Sequence, residues 1–144
     1  MAGKYAKVIA TGFLVLLGTT GAVGFDAIAV RSDGQMPIRS LSISVELGAT
    51  DRFFDLVRKF ADAHAFAIRI APTTPDGKHF LVQMWREDIK VIGENSLDPP
   101  ETFDISFYSN NVGHPADLAA VNLMIRDLES VLSPIPGLTF SERK

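Results

Sequence analysis

The sequence predicts an α+β domain, a two-layer sandwich in which a mostly antiparallel sheet of four to five strands carries two helices on one face. Several short segments alternate apolar and polar residues, which is typical of strands buried on one side. Two longer segments repeat apolar residues every three or four positions, as amphipathic helices do. The chain order is strand, helix, three or four strands, helix, an arrangement that is ferredoxin-like by analogy.

The segment before this domain, residues 1–30, predicts export. Lys4 and Lys7 precede an uncharged stretch from Val8 to Phe25, whose apolar centre has the length of a secretory signal. Two alternatives stay open: a signal peptide cleaved near Phe25, or an uncleaved signal anchor, because the stretch nearly matches the shortest bilayer span. Positive charge before the stretch keeps the N-terminus cytoplasmic. The expected location is therefore periplasmic, either soluble after cleavage or anchored in the inner membrane.

The domain itself is predicted over residues 41–144. Residues 31–40 are interpreted as a linker, because they contain Gly34 and Pro37 and show no regular period. In residues 41–47 apolar and polar residues alternate at every step. This alternation predicts a first strand that is buried on one face.

A first helix is predicted over about residues 50–65. Gly48 ends the strand before it, and Thr50 is placed to accept a hydrogen bond from the free amides of the first turn. The apolar stripe consists of Phe53, Phe54, Val57, Phe60, Ala61 and His64.

The next strands are predicted as a meander. Residues 66–71 and 79–86 are extended segments separated by turn residues at 75–77, which predicts a hairpin. A tight reversal at 87–88 leads into a strand over 89–92, although one long bent strand fits the letters nearly as well. The meander therefore contributes two or three strands.

The second half of the domain contains a loop, a strand and a helix. Residues 93–101 predict the loop, and 103–108 alternate as a strand. Pro115 is expected at the first position of the helix, where its missing amide costs nothing. Pro134 ends this helix, and residues 138–140 form an edge strand or cover a helix end. The predicted inward stripe is Leu118, Val121, Ile125, Leu128 and Leu132.

Composition narrows the function classes. The chain has no cysteine, which removes disulfides, thiolate nucleophiles and a lipid-modified cysteine. The formal net charge is −3, and the basic residues are scattered. Because nucleic-acid binding needs a clustered basic stripe, no nucleic-acid partner is expected, and binding to anionic membranes is disfavoured for the same reason.

The open face of the sheet is the predicted binding surface. The strand phase that buries Phe80, Val82 and Met84 turns Leu81 and Trp85 outward, and Tyr108 shares their face. An apolar patch with a polar rim is typical of binding surfaces and of self-association. The alternative is that the tail around Phe140 or the 93–101 loop covers Trp85 and makes it core. The predicted set is Trp85, Leu81 and Tyr108 as anchors, with Arg69, Lys90 or Arg86 for orientation.

A small hydrolase or lyase centred on His114 and Asp117 is the alternative function. An imidazole and a carboxylate fall within one turn of a helix N-terminus, although capping explains both residues equally well. Asp98, Glu101 and Asp104 match no calcium loop, so neither a metal nor a cofactor is expected. The chain is interpreted as a non-enzymatic binding module for an unknown protein or small ligand. A third hypothesis is an accessory subunit of a membrane assembly, with the membrane contacted through residues 8–30.

Overall fold

A computed structural model describes residues 35–95, 102–110 and 115–143. The predicted signal segment at 1–30 lies outside the described residues. None of the helices in the described ranges is long and apolar enough to span a bilayer. The elements are β1 (Arg39–Ser44), a 3₁₀ turn (Leu47–Ala49), α1 (Thr50–Ala63), β2 (Ala67–Pro72), β3 (Phe80–Trp85), β4 (Ile89–Asn95), β5 (Thr102–Ser109), α2 (Leu118–Leu132) and β6 (Thr139–Arg143).

The strands form one antiparallel sheet in the order β2-β3-β4-β5-β1-β6. The predicted α+β class, with an antiparallel sheet and two helices, is confirmed. The predicted count of four to five strands is wrong, because the described sheet has six. Two sequence ambiguities account for the difference: the reversal at 87–88 separates β3 from β4, and the C-terminal tail pairs with β1 as an edge strand.

The core lies between one face of this sheet and the two helices. Phe53 and Phe60 of α1 and Leu128 of α2 are fully buried against strand residues such as Ile43 and Phe107. The cluster contains two residues of β3, Val82 and Met84, whereas Leu81 and Trp85 point to the other face. Both described helices therefore cover the same face, and the other face is the open face.

The first strand begins earlier than the sequence predicts, and the first helix begins at the predicted residue with a different N-cap. β1 starts at Arg39, inside the predicted linker, and ends at Ser44 rather than at residue 47. Thr50 is the first helical residue and not the N-cap, a position held by Ala49 without a side-chain hydrogen bond. The 3₁₀ turn uses backbone bonding instead, with the amide of Ala49 donating to the carbonyl of Glu46 at 2.8 Å.

The loop predicted over 93–101 is wrong in its first part, because β4 continues through Asn95. Gly93, the first residue of the predicted loop, lies buried within the strand. A Cβ at this position would stand 3.1 Å from Cγ1 of Ile105 and 3.5 Å from Cβ of Val82. Glycine here permits close packing of three adjacent strands rather than a turn.

The second helix begins at Leu118, so the prediction of Pro115 at its first position is wrong. Asp117 is the N-cap, and its carboxylate accepts a hydrogen bond from the amide of Ala119 at 3.0 Å. Leu118 was expected in the inward stripe but is 45% exposed. The buried stripe starts one turn later, at Val121.

Candidate functional site

The register of the sheet aligns the predicted binding residues on the open face. Trp85 of β3 is paired with Lys90 of β4, which is paired with Tyr108 of β5. Because neighbouring strands lie about 4.8 Å apart, the backbones of Trp85 and Tyr108 are about 10 Å apart. Nζ of Lys90 lies 5.6 Å from the centroid of the Tyr108 ring, within cation–π range. We call these three residues the aromatic row.

The other two predicted residues lie in the rows beside the aromatic row. Arg69 is exposed and pairs with Gln83, and Leu81 is two residues before Gln83 on the same strand. Leu81 is only 7% exposed, whereas Trp85 is 43% exposed. The structure therefore brings the predicted set onto one face, with most of its accessible apolar area at Trp85.

The C-terminal tail does not cover Trp85. It forms β6, which pairs with β1 at the sheet edge opposite to β2. Phe140 of this strand packs against the core between sheet and helices. Part of the other suggested cover, the 93–101 loop, belongs to β4, and residues 96–101 lie outside the described part of the chain.

A polar network that the sequence did not predict occupies the β5-β1-β6 side of the open face. The carboxylate of Asp104 accepts hydrogen bonds from Oγ of Ser42 and, at 2.7 Å, from Nη1 of Arg143. The hydroxyls of Ser40 and Ser106 are 2.8 Å apart. The only signal in the sequence was the alternation of serine in β1. Asp104 was considered as a metal ligand, but no three acidic or histidine side chains among the described residues meet in a metal site.

Arg86, predicted as an orienting cation, is instead engaged within the fold. Its guanidinium donates to both carboxylate oxygens of Asp88, at 2.6 and 3.1 Å, and to the carbonyl of His64 at 3.0 Å. It also lies 5.0 Å from the centroid of the Phe66 ring. Asn110 completes this corner by donating to the carbonyl of Arg86 at 2.6 Å. Arg86 therefore joins the β3-β4 turn to the end of α1.

The hydrogen bonds from Arg86 hold the pKa of Asp88 below its ordinary value. A carboxyl whose pKa is lower in the folded state stabilises the fold above its unfolded pKa of about 3.9 and loses this contribution as pH falls through the folded pKa. Asp88→Asn should therefore lower the melting temperature at pH 6, and this deficit should shrink as the pH falls below the unfolded pKa of about 3.9. Thermal melts of both proteins from pH 2.5 to 7 test this; a deficit that does not change with pH contradicts it.

The residues of the hydrolase alternative are only partly visible. His114 lies outside the described residues, and the exposed carboxylate of Asp117 caps α2. A different histidine contacts an acidic residue. Nε2 of His64 lies 3.4 Å from the Asp127 carboxylate, between the two helices. The sequence predicts His64 in the apolar stripe of α1, and spacing within one helix does not reveal a partner on the other helix.

Comparison of the chain with protein-family models and with curated proteins gives no match.

Proposed function

We propose that this chain is an exported, non-enzymatic binding or assembly module that contacts its partner through the open face of the sheet. Trp85 and Tyr108 supply the apolar contact area, Leu81 is a buried apolar residue four positions before Trp85 on the same face, and Arg69 and Lys90 orient the partner. The observation that carries the proposal is Trp85, which is 43% exposed within a row that also contains a cation and a second aromatic side chain. Tryptophan and tyrosine dominate the energetics of many interfaces.

The surroundings of Trp85 support this proposal over a role in the core. Its neighbours on the same strand, Val82 and Met84, belong to the core cluster, and Trp85 does not. A large aromatic ring gains little stability for the fold while almost half of its surface remains in water, so its free energy of burial is available to a partner. The ferredoxin-like layout remains an analogy and contributes nothing to this assignment.

Trp85→Ala should leave the fold almost unchanged and abolish partner contact. We expect the free energy of unfolding to fall by less than about 1 kcal/mol, because the ring is half in water. A photo-crosslinker at Tyr108, expressed in a Gram-negative host, should give a cross-linked species of discrete mass that Trp85→Ala removes.

Leu123→Ala is the matched control, because Leu123 is an exposed apolar residue of α2, at 59% exposure, away from the open face. The cross-linked species should survive this change. A large fall in melting temperature for Trp85→Ala would show that the ring is structural, and an unchanged cross-linked species would remove the open face as the contact.

The exported location is a proposal of its own, and it bears on the accessory-subunit hypothesis. The intact mass and cell fraction of the expressed chain test it. A soluble periplasmic species that begins near Phe25 indicates a free module, and a full-length species in the membrane fraction indicates an anchored subunit. A full-length cytosolic species contradicts export. The hydrolase alternative around His114 gains no support from Asp117, since capping accounts for its contact.

A further inference from the structure

Exposed apolar side chains concentrate at one end of the domain. We call it the proximal end, because the first strand, β1, begins there. Four large hydrophobic residues are exposed in the described part of the chain, and three belong to this end. They are Met36 at 86%, Trp85 at 43% and Leu118 at 45% exposure; the fourth is Leu123 at 59%.

The hydrogen bonds and strand directions place these three residues at the same end of the sheet. The amide of Ile38 donates to the carbonyl of Phe107 at 2.7 Å, so Met36 lies just beyond the end of β5. Trp85 is the last residue of β3. Because β3 and β5 are both antiparallel to β4, which lies between them, both strands finish at the same end of the sheet. The amide of Ala116 donates to Oγ of Ser109, the last residue of β5, at 3.3 Å, which brings the start of α2 to this end.

The chemistry of the proximal end resembles that of side chains at a membrane surface. Tryptophan and tyrosine lie beside lysine and arginine, as in the interfacial belts of membrane proteins. Arg86 and Asp88 form an ion pair at this end, with Nε and Oδ1 2.6 Å apart, so the charge of Arg86 is balanced within the fold. Apolar insertion rather than attraction to anionic lipid is therefore the force that this end offers.

The length of the preceding chain restricts how far this end can be from a membrane. Only the 10 residues 26–35 separate the apolar stretch Val8 to Phe25 from Met36 at the proximal end. A fully extended chain from Phe25 to Met36 spans roughly 38 Å, and a random coil of that length averages roughly 20 Å. A domain of this size has a radius of gyration of about 13 Å. If the stretch is embedded in a bilayer, a connection of this length keeps the proximal end within reach of the lipid.

We infer that the proximal end docks on the surface of a lipid bilayer, with Trp85, Met36 and Leu118 in the interfacial layer. The inference rests on the proposed function, since it names the partner of the surface around Trp85. It also assigns the aromatic row a direction: Lys90 lies between Trp85 and Tyr108, where its ammonium reaches the phosphate layer while the rings lie deeper.

The full-length chain provides its own reporter, because Trp85 is its only tryptophan. The chain is reconstituted in phosphatidylcholine vesicles with and without bromine atoms on the acyl chains, which quench nearby tryptophan. Because interfacial side chains lie about 5–10 Å into the headgroup and acyl boundary, we expect bromination to reduce the emission roughly twofold. The control is Trp85→Phe combined with Pro75→Trp, which moves the reporter to the exposed β2-β3 turn at the other end of the sheet. Its emission should not change.

A second pair of variants tests the composition of the docking surface. Leu118→Ser should weaken the quenching of Trp85, and Leu123→Ser, on the same helix but outside the proximal end, should not. Absence of quenching at Trp85, or equal quenching at the Pro75→Trp position, overturns the inference. If quenching is absent while Trp85→Ala still removes the cross-linked species, the lipid partner is wrong and the binding module stands. Blue-shifted emission without quenching means that protein, not lipid, covers the ring, and it also overturns the inference.

Discussion

Phe103→Ala should lower the free energy of unfolding by about 3–5 kcal/mol, the usual cost of truncating a fully buried phenylalanine. Phe103 is 1% exposed on the central strand β5. Its ring centroid lies 4.7 Å from that of Phe53 and 5.7 Å from that of Phe54, the latter in an edge-on arrangement. Truncation therefore removes two aromatic contacts as well as buried area, and it leaves a cavity beneath α1.

The sheet contains a matched control for this substitution. Phe103 and Phe140 both pair with Ile43, one on each side, but Phe140 belongs to the edge strand β6 and is only partly buried. Phe140→Ala should cost distinctly less, because the edge site can collapse or admit water. Urea unfolding of both variants measures the difference as a shift of the midpoint at similar slope. Equal losses would show that the core does not centre on the rings around Phe103.

The alternation of apolar and polar residues was sufficient to predict most strands and their faces, because the period of two depends only on local geometry. It failed where tertiary packing overrides a local preference. A glycine such as Gly93 is typical of a strand end, yet here the absence of a side chain allows Ile105 of the neighbouring strand to pack closely. Asp117, two residues after the expected first helical residue Pro115, is the N-cap instead, because its carboxylate accepts a hydrogen bond from a free amide.

The candidate site was predictable in its membership but not in its pairing. Alternation alone assigned Trp85 and Tyr108 to one face, whereas their alignment through Lys90 depends on the register of three strands. No local sequence pattern indicates which arginine forms an ion pair within the domain. The sequence does not distinguish Arg86 from Arg69, and only the structure shows that Arg86 pairs with Asp88. The same argument applies to Asp104, whose partners Ser42 and Arg143 come from distant parts of the chain.

Asn95→Ala should cost about 1–3 kcal/mol, because it leaves two partly buried backbone groups without their side-chain partner. Asn95 is 7% exposed and is the sole buried polar residue in the described part of the chain. Its Oδ1 accepts from the amide of Phe80 at 2.7 Å, and its Nδ2 donates to the carbonyl of Lys78 at 2.7 Å. The Asn95 side chain thus links the start of β3 to the end of β4 by hydrogen bonds, within the segment that the sequence predicts as a loop.

Asn122→Ala provides the comparison, since Asn122 accepts one exposed hydrogen bond, from Nε of Arg39 at 3.2 Å, and its loss should stay within about 0.5 kcal/mol. Asn95→Ala should also disturb the aromatic contacts nearby, because the ring of Phe80 lies 4.8 Å from that of Phe54. A double-mutant cycle between Asn95→Ala and Phe54→Leu, measured by urea unfolding, should therefore give a coupling of about 0.5 kcal/mol or more. If the two losses in free energy of unfolding were strictly additive, Asn95 would stabilise only the turn, and the position of Phe80 would depend on its own packing.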